Sequence, residues 1–342
     1  MERSQLMERL EAARTRIAPG QEIEVGLFEP GDALGVSLCY YEVYGGEFPI
    51  DHVHDPDEVV RRNATDDQHT IVVRTPKGDI VGLAGLFRHA PNPDIYEAGQ
   101  LMLLKSYRSG RISSELARHI LEVLPQSLGL PVILTEAVCN HTVSQRLSHD
   151  HGHQATGLEL ECMPATAYSR ERAGSRNVSL LLTFDVRNDR SHAVYLPEVH
   201  GDIISDLYGS LGLDRRIGQG ADPVGPTDFN AFLLPQANFA RITVQTAGMD
   251  FQDVVEKAES NAGPGGLVQM YMNLGDRATP SAIRQLRENG YFFGGLLPLW
   301  FGTDGLIMQK LPKPPAWEEV SLHDPAARAL AAYIRQDYER VE

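Results

Sequence analysis

A chain of 342 residues, 42% hydrophobic and 23% charged, is globular and too long for one ordinary core, so two domains are expected and disorder is excluded. Its 46 acidic side chains against 31 basic ones leave a formal charge of −15, which disfavours nucleic acid and anionic membrane as partners. Cys39, Cys139 and Cys162 lie too far apart for a zinc knuckle or redox pair, and with no apolar leader or bilayer-length run the chain reads as cytoplasmic.

Residues Met1 to Arg16 predict a helix stopped by Ala18-Pro19-Gly20, Glu22 to Phe28 an edge strand, and Pro30-Gly31-Asp32 the start of a second helix. The segment from Tyr44 to Pro56, with Phe48-Pro49-Ile50, His52 and His54, reads as an ordered loop before a helix near Asp57 to Asn63. Strands follow at His69 to Thr75 and Asp79 to Phe87, turned by Lys77-Gly78. Next comes an apolar strand through Leu101 to Leu104, entered by Glu97. It breaks into a tight polar turn, Lys105 to Ile112, and the turn opens into an amphipathic helix continued by Leu116, Ile120, Leu121 and Leu124. A buried strand, Pro131 to Val138, leads to a helix from Thr142 to His149 ended by Gly152. A strand pair returns through Ala155 to Cys162 and Asn177 to Val186. The fold class is α/β, with a mixed sheet of the α+β kind.

Polar Asn188-Asp189-Arg190-Ser191 marks a boundary between a domain over 1–187 and another over 191–342. Beyond it the pattern predicts a helix from Val199 to Leu211, a Gly/Pro-rich loop from Ile217 to Thr227, a strand from Ala240 to Gln245, a helix from Phe251 to Ala258 and a closing helix from Asp324 to Glu339. A weak repeat links the halves. Val132 to Glu136 through Gly152 and Gly157 matches Leu267 to Tyr271 through Gly290 and Gly295. No counterpart of the polar turn is expected in the second half, because no helix follows Asn261 to Gly266.

A strand–turn–helix aims unpaired backbone amides and the positive end of a helix dipole at one small volume, which suits a pyrophosphate. Lys105, Arg108 and Arg111 add positive charge there. With the strand Ile80 to Leu86, and with Asn140-His141 before a helix closed by Gly152, these pieces resemble the GCN5-related N-acetyltransferase superfamily in its tandem bacterial form. The second half resembles it chiefly through Glu288 to Gly295, as a degenerate copy that serves as a scaffold. The resemblance implies acetyl-CoA or another short acyl-CoA as donor and no metal. It places the donor against Leu103, Leu104, Lys105, Arg108, Ser109, Gly110, Arg111, Ile112 and Ser113, and against Ser144. In the register of the family signature, Arg111 and Ser113 stand where glycines are the rule. The backbone amide of Leu103 or Leu104 falls where the family binds the thioester oxygen.

Acyl transfer to an amine needs a base for the ammonium proton, donors for the oxyanion and a route for the departing thiolate. Glu97, Glu136 and His141 are the base candidates. Burial in an apolar strand would raise the pKa of Glu136, and the alternatives are a strand-mouth Glu bonded to backbone and a helix-start His. The family's tyrosine acid falls at Ser148, a weak proton relay. His149, His151 and His153 alternate around Asp150, yet no Cys or second acidic cluster completes a metal site. They read as a solvated or CoA-adjacent run, as do His52 and His54, whose loop lies where the family's acceptors bind. The expected activity is acyl transfer to a small-molecule amine by a monomer or homodimer. A non-catalytic acyl-CoA sensor, and decarboxylation or S-acyl transfer to a carrier protein, are the competing readings.

Overall fold

The computed structural model describes residues 3–48, 50–164, 177–234 and 238–341; Met1 and Glu2 of the first predicted helix and Pro49 of the loop lie outside them. Two compact units form. The first takes the described residues up to His89 and Tyr96–Thr135. Its elements are α1 (Arg3–Ala13), β1 (Glu24–Leu27), α2 (Ala33–Tyr44), α3 (Pro56–Asn63), β2 (Gln68–Arg74), β3 (Ile80–Phe87), β4 (Ile95–Leu103), α4 (Gly110–Arg118), a π-helical turn (His119–Val123), α5 (Leu124–Leu128) and the start of β5 (Val132–Val138). β1 to β4 form an antiparallel meander, of which the β2–β3 pair is the predicted hairpin. Val36, Cys39, Tyr40 and Val43 of α2 pack on Val72, Leu83 and Met102 of the sheet.

One irregularity shapes the end of this meander. Three steps along β4, Gly99 to Met102, face two along β3, Leu83 to Gly85, and Gln100 holds φ at 56°. The extra residue is a bulge, which bends a strand and re-aims the groups beyond it. The Tyr40 hydroxyl donates to the Gln100 side chain and pins it there.

The second unit takes Ala90–Ile95, Glu136–Met163 and the described residues from Asn177 onward. It contains α6 (Val143–Asp150), β6 (Gln154–Met163), β7 (Val178–Val186), β8 (His192–Val194), α7 (Gly201–Leu211), β9 (Arg215–Ile217), β10 (Asp228–Leu234), β11 (Phe239–Thr246), α8 (Phe251–Ala262), β12 (Leu267–Asn273), α9 (Thr279–Glu288), β13 (Phe292–Leu297), β14 (Gly305–Lys310) and α10 (Pro325–Val341). Its strands run β7-β6-β13-β14-β12-β11-β10. β11 and β12 are parallel, joined through α8, and β8 pairs with β9 apart from the main sheet.

The sequence repeat is a structural one. β5-α6-β6-β7 and β12-α9-β13-β14 follow the same path, and both arrange their strands in the same order, β5-β7-β6 and β12-β14-β13. Gly152 (φ 85°) and Gly290 (φ 83°) end the equivalent helices in left-handed conformations. Five residues beyond each, Gly157 and Gly295 face one another and stitch β6 to β13.

The units divide differently from the 1–187 and 191–342 split. β6 and β7 go with the later strands, because Gly157 pairs with Gly295 and Leu158, Leu160 and Leu181 share one core with Phe293, Leu296 and Ile334. The segment expected as a boundary is tied down as well. Asp189 meets the buried Arg215 guanidinium at 2.8 Å, and Arg215 also pairs with the fully buried Asp304. Among the described residues no helix is long and apolar enough to cross a membrane.

Candidate functional site

The polar turn grows from the bulged end of β4. Leu104 donates its amide to the Val81 carbonyl (2.8 Å), so by strand alternation the Leu103 amide points away from β3. Lys105, Arg108, Ser109, Gly110 and Arg111 are exposed, while Ile112 and Ser113 are half-buried. Arg108 Nε donates to the Leu103 carbonyl (3.1 Å) and folds back over the strand end. Tyr107 is the turn's buried anchor, its hydroxyl donating to the Ala18 carbonyl (2.6 Å).

Ser109 caps α4, its hydroxyl accepting from the Ile112 amide (3.4 Å). The Ser113 amide donates to the Ser109 carbonyl (3.1 Å). The Gly110 and Arg111 amides take no partner among the described residues, as the first turn of a helix requires. No acid lies in that turn, and a Cβ on Gly110 would meet nothing within 4 Å. The turn is therefore an open, positively charged set of donors that fits a pyrophosphate.

The second half does contain the counterpart that its sequence failed to announce. β11 runs through Ala247-Gly248-Met249-Asp250 into α8, but the amides there are already spent. Ala247 donates to Asp276 Oδ2 (2.8 Å), Gly248 to the Thr227 hydroxyl (3.0 Å) and Met249 to the Gly225 carbonyl (2.9 Å). A carboxylate holds one donor, and Asp250 and Asp253 add negative charge. β11 and β12 also stay paired from Phe239↔Leu267 to Val244↔Met272. An anion finds these three amides taken and two acidic side chains beside them.

The catalytic candidates divide between the units: Glu97 belongs to the first, and Glu136, His141 and Ser148 to the second, as does Ser144, expected to touch the donor. Glu97, on β4 three residues before the bulge, has its carboxylate 3.5 Å from His89 Nδ1. His89 carried no spacing signal in the sequence. Glu136 is half-buried, and burial raises its carboxyl above the usual range against the opposing pull of Arg241. That guanidinium is held by the buried Glu159 (2.9 Å), to which the Tyr271 hydroxyl also donates. No sequence pattern pointed to this group, because its members come from β6, β11 and β12.

His141 is exposed, and its Nδ1 accepts the Val143 amide (3.3 Å), the helix-start role. Ser148 is buried and donates to the Ser144 carbonyl (3.2 Å). Asn140 Oδ1 and Ser144 Oγ are buried without a hydrogen-bond partner among the described residues, which leaves two polar atoms to satisfy. The histidine runs are not uniformly solvated. His149 is exposed, but His54 and His153 are buried, and burial holds both near pKa 4.

An antiparallel meander, a bulged last strand and an open helix start make an α/β domain whose first helical turn can take an anion. Residues 39–152 match the family described as acetyltransferase (GNAT), so the chain carries a GCN5-related N-acetyltransferase domain, of a family that uses acyl-CoA. Solved structures similar to this chain include spermidine N-acetyltransferase from Vibrio cholerae with CoA and spermine, at 15% identity. The match covers 48% of this chain and 95% of that one, with a TM-score of 0.39. A ribosomal-protein-S5-alanine acetyltransferase from Vibrio fischeri matches at 13% identity over 50% of this chain and 97% of that one, with a TM-score of 0.40. No curated protein matches the chain.

Proposed function

We propose that the protein transfers a short acyl group, acetyl first among them, from CoA to the amine of a small molecule. The observation that carries this reading is the turn after β4, with Arg108 and Arg111 exposed, the Gly110 and Arg111 amides unpartnered among the described residues, and no acid in the first turn of α4. Those groups take the pyrophosphate, and the Leu103 amide serves the thioester oxygen in preference to Leu104, whose N–H is committed to Val81. The amine nitrogen attacks the thioester carbon, the C–S bond breaks, CoA leaves as thiolate and the ammonium proton passes to a base. Glu136 is the preferred base, since a raised carboxyl pKa suits proton abstraction near neutrality; Glu97 and His141 are the alternatives.

The second strand–turn–helix belongs to this proposal as a degenerate copy that binds no CoA. Calorimetry with acetyl-CoA tests both parts at once. One site per chain, weakened severalfold by Arg108→Gln and untouched by Met249→Lys, is the expected result. Two sites, or binding indifferent to Arg108, would defeat it. Thioester loss with an amine panel then tests the chemistry. Ser148 favours a second reading, a non-catalytic acyl-CoA sensor, because a serine bonded to the Ser144 carbonyl stands where the family places its acid. Binding without turnover for every amine would select the sensor.

A further inference from the structure

β10 is the outermost strand of its sheet and pairs with β11 along one side only. Its residues are Asp228-Phe229-Asn230-Ala231-Phe232-Leu233-Leu234. Phe232 is 56% exposed and Leu233 is 40% exposed. Consecutive strand residues point to opposite faces, so bare apolar side chains stand on both faces of this edge. From Phe229 to Leu234 there is no charge and no proline; the bulge at Asp228/Phe229 and Pro235 stand only at the two ends of this run. The edge of the first unit shows the usual defence. β1 has four residues, begins with Glu24, and its Leu27 carbonyl is taken by the Arg74 guanidinium (2.6 Å).

A partner for β10 must offer an extended backbone and an uncharged apolar surface. The net charge of −15 restricts where two copies of this chain can touch, since like charges repel wherever acidic surface faces acidic surface. Residues 229–234 are a patch where that cost vanishes. About a two-fold axis through the strand, the two Asp228 carboxylates fall at opposite ends of the pair and never face each other. We propose that two copies of this chain associate by antiparallel pairing of β10 with β10 of the second copy, Phe232 and Leu233 becoming buried on opposite faces of the joined sheet.

Sedimentation velocity on the full chain across the micromolar range tests this. The wild type runs at twice the 37.8 kDa chain mass. Phe232→Glu and Leu233→Glu each bring it to the single-chain mass with the circular dichroism of the folded chain retained, because both side chains are largely exposed in one copy. Leu128→Glu, at an exposed apolar residue of the other unit, leaves the dimer intact. A wild type at single-chain mass throughout, an assembly larger than two, a dimer that survives both β10 variants, or one that Leu128→Glu also disperses would overturn the proposal. Should Phe232→Glu fail to fold, Leu233→Glu on the opposite face decides alone.

Discussion

Gly110 separates binding from stability. Its missing Cβ has open space around it, so Gly110→Ala restricts the unfolded chain without straining α4 and raises stability by ~0.4–1 kcal/mol. The same methyl stands in the way of a phosphate reaching the first-turn amides. A thermal melt shifted slightly upward together with severalfold weaker CoA binding is the expected pair; loss of both would give Gly110 a folding role instead. Glu136 yields a second paired outcome. Its folded pKa is raised, so the folded state holds the proton more tightly and stability falls as pH rises above 4.5 through the folded value. Glu136→Gln removes that loss, so the variant melts higher than wild type at neutral pH while thioester turnover with an amine collapses. If turnover is retained with the same stabilisation, Glu136 is a buried carboxylate and not the base.

Among the elements, the junction of β6 with β13 is the least tolerant. A Cβ on Gly295 would lie 2.2 Å from the Gly157 Cα and 2.7 Å from the Thr156 carbonyl oxygen, both backbone atoms that cannot swing aside. Overpacking costs about 1–3 kcal/mol and more where backbone must move, so Gly295→Ala lowers the urea midpoint sharply or prevents folding, whereas Ala at the open Gly201 does neither. The sequence repeat located these two glycines because chain stereochemistry marks them by type. The polar turn after β4 was legible for a similar reason: its charge and amphipathic helix are local. Its counterpart before α8 was not, since Ala247 to Asp250 has no cation, and what fills its amides comes from Gly225, Thr227 and Asp276, 21 to 29 residues away in sequence on either side of α8. β10 and β14 escaped notice too. β14 is buried on both faces and β10 is apolar on both, so neither shows the alternation that announces a strand. The partners of Glu136 and Glu97, contributed by distant strands and by a loop His, are tertiary facts with no local signature.

Across the whole molecule, buried histidines set the response to acid. His52 and His54 in the first unit, and His153 and His200 in the second, are each lowered from 6.5 to about 4, chiefly by burial. A ring whose folded pKa lies below its unfolded one binds its proton more readily in the unfolded chain, so stability drains away as pH falls from 6.5 towards 4. Glu136 and His192, both raised, work in the opposite direction, but they are two groups against five once His69, also lowered by burial, is included. Asp304, whose pKa is lowered by His192 and Arg215 despite its burial, stays ionised through this window and gives way only in stronger acid. Calorimetric melts at constant ionic strength should therefore fall continuously between pH 6.5 and 4. Because histidines of both units contribute, two resolved transitions, if the scan shows them, should both move down. A melting temperature flat across that interval would mean that these rings are hydrated in solution and that neither unit is packed as the structure describes.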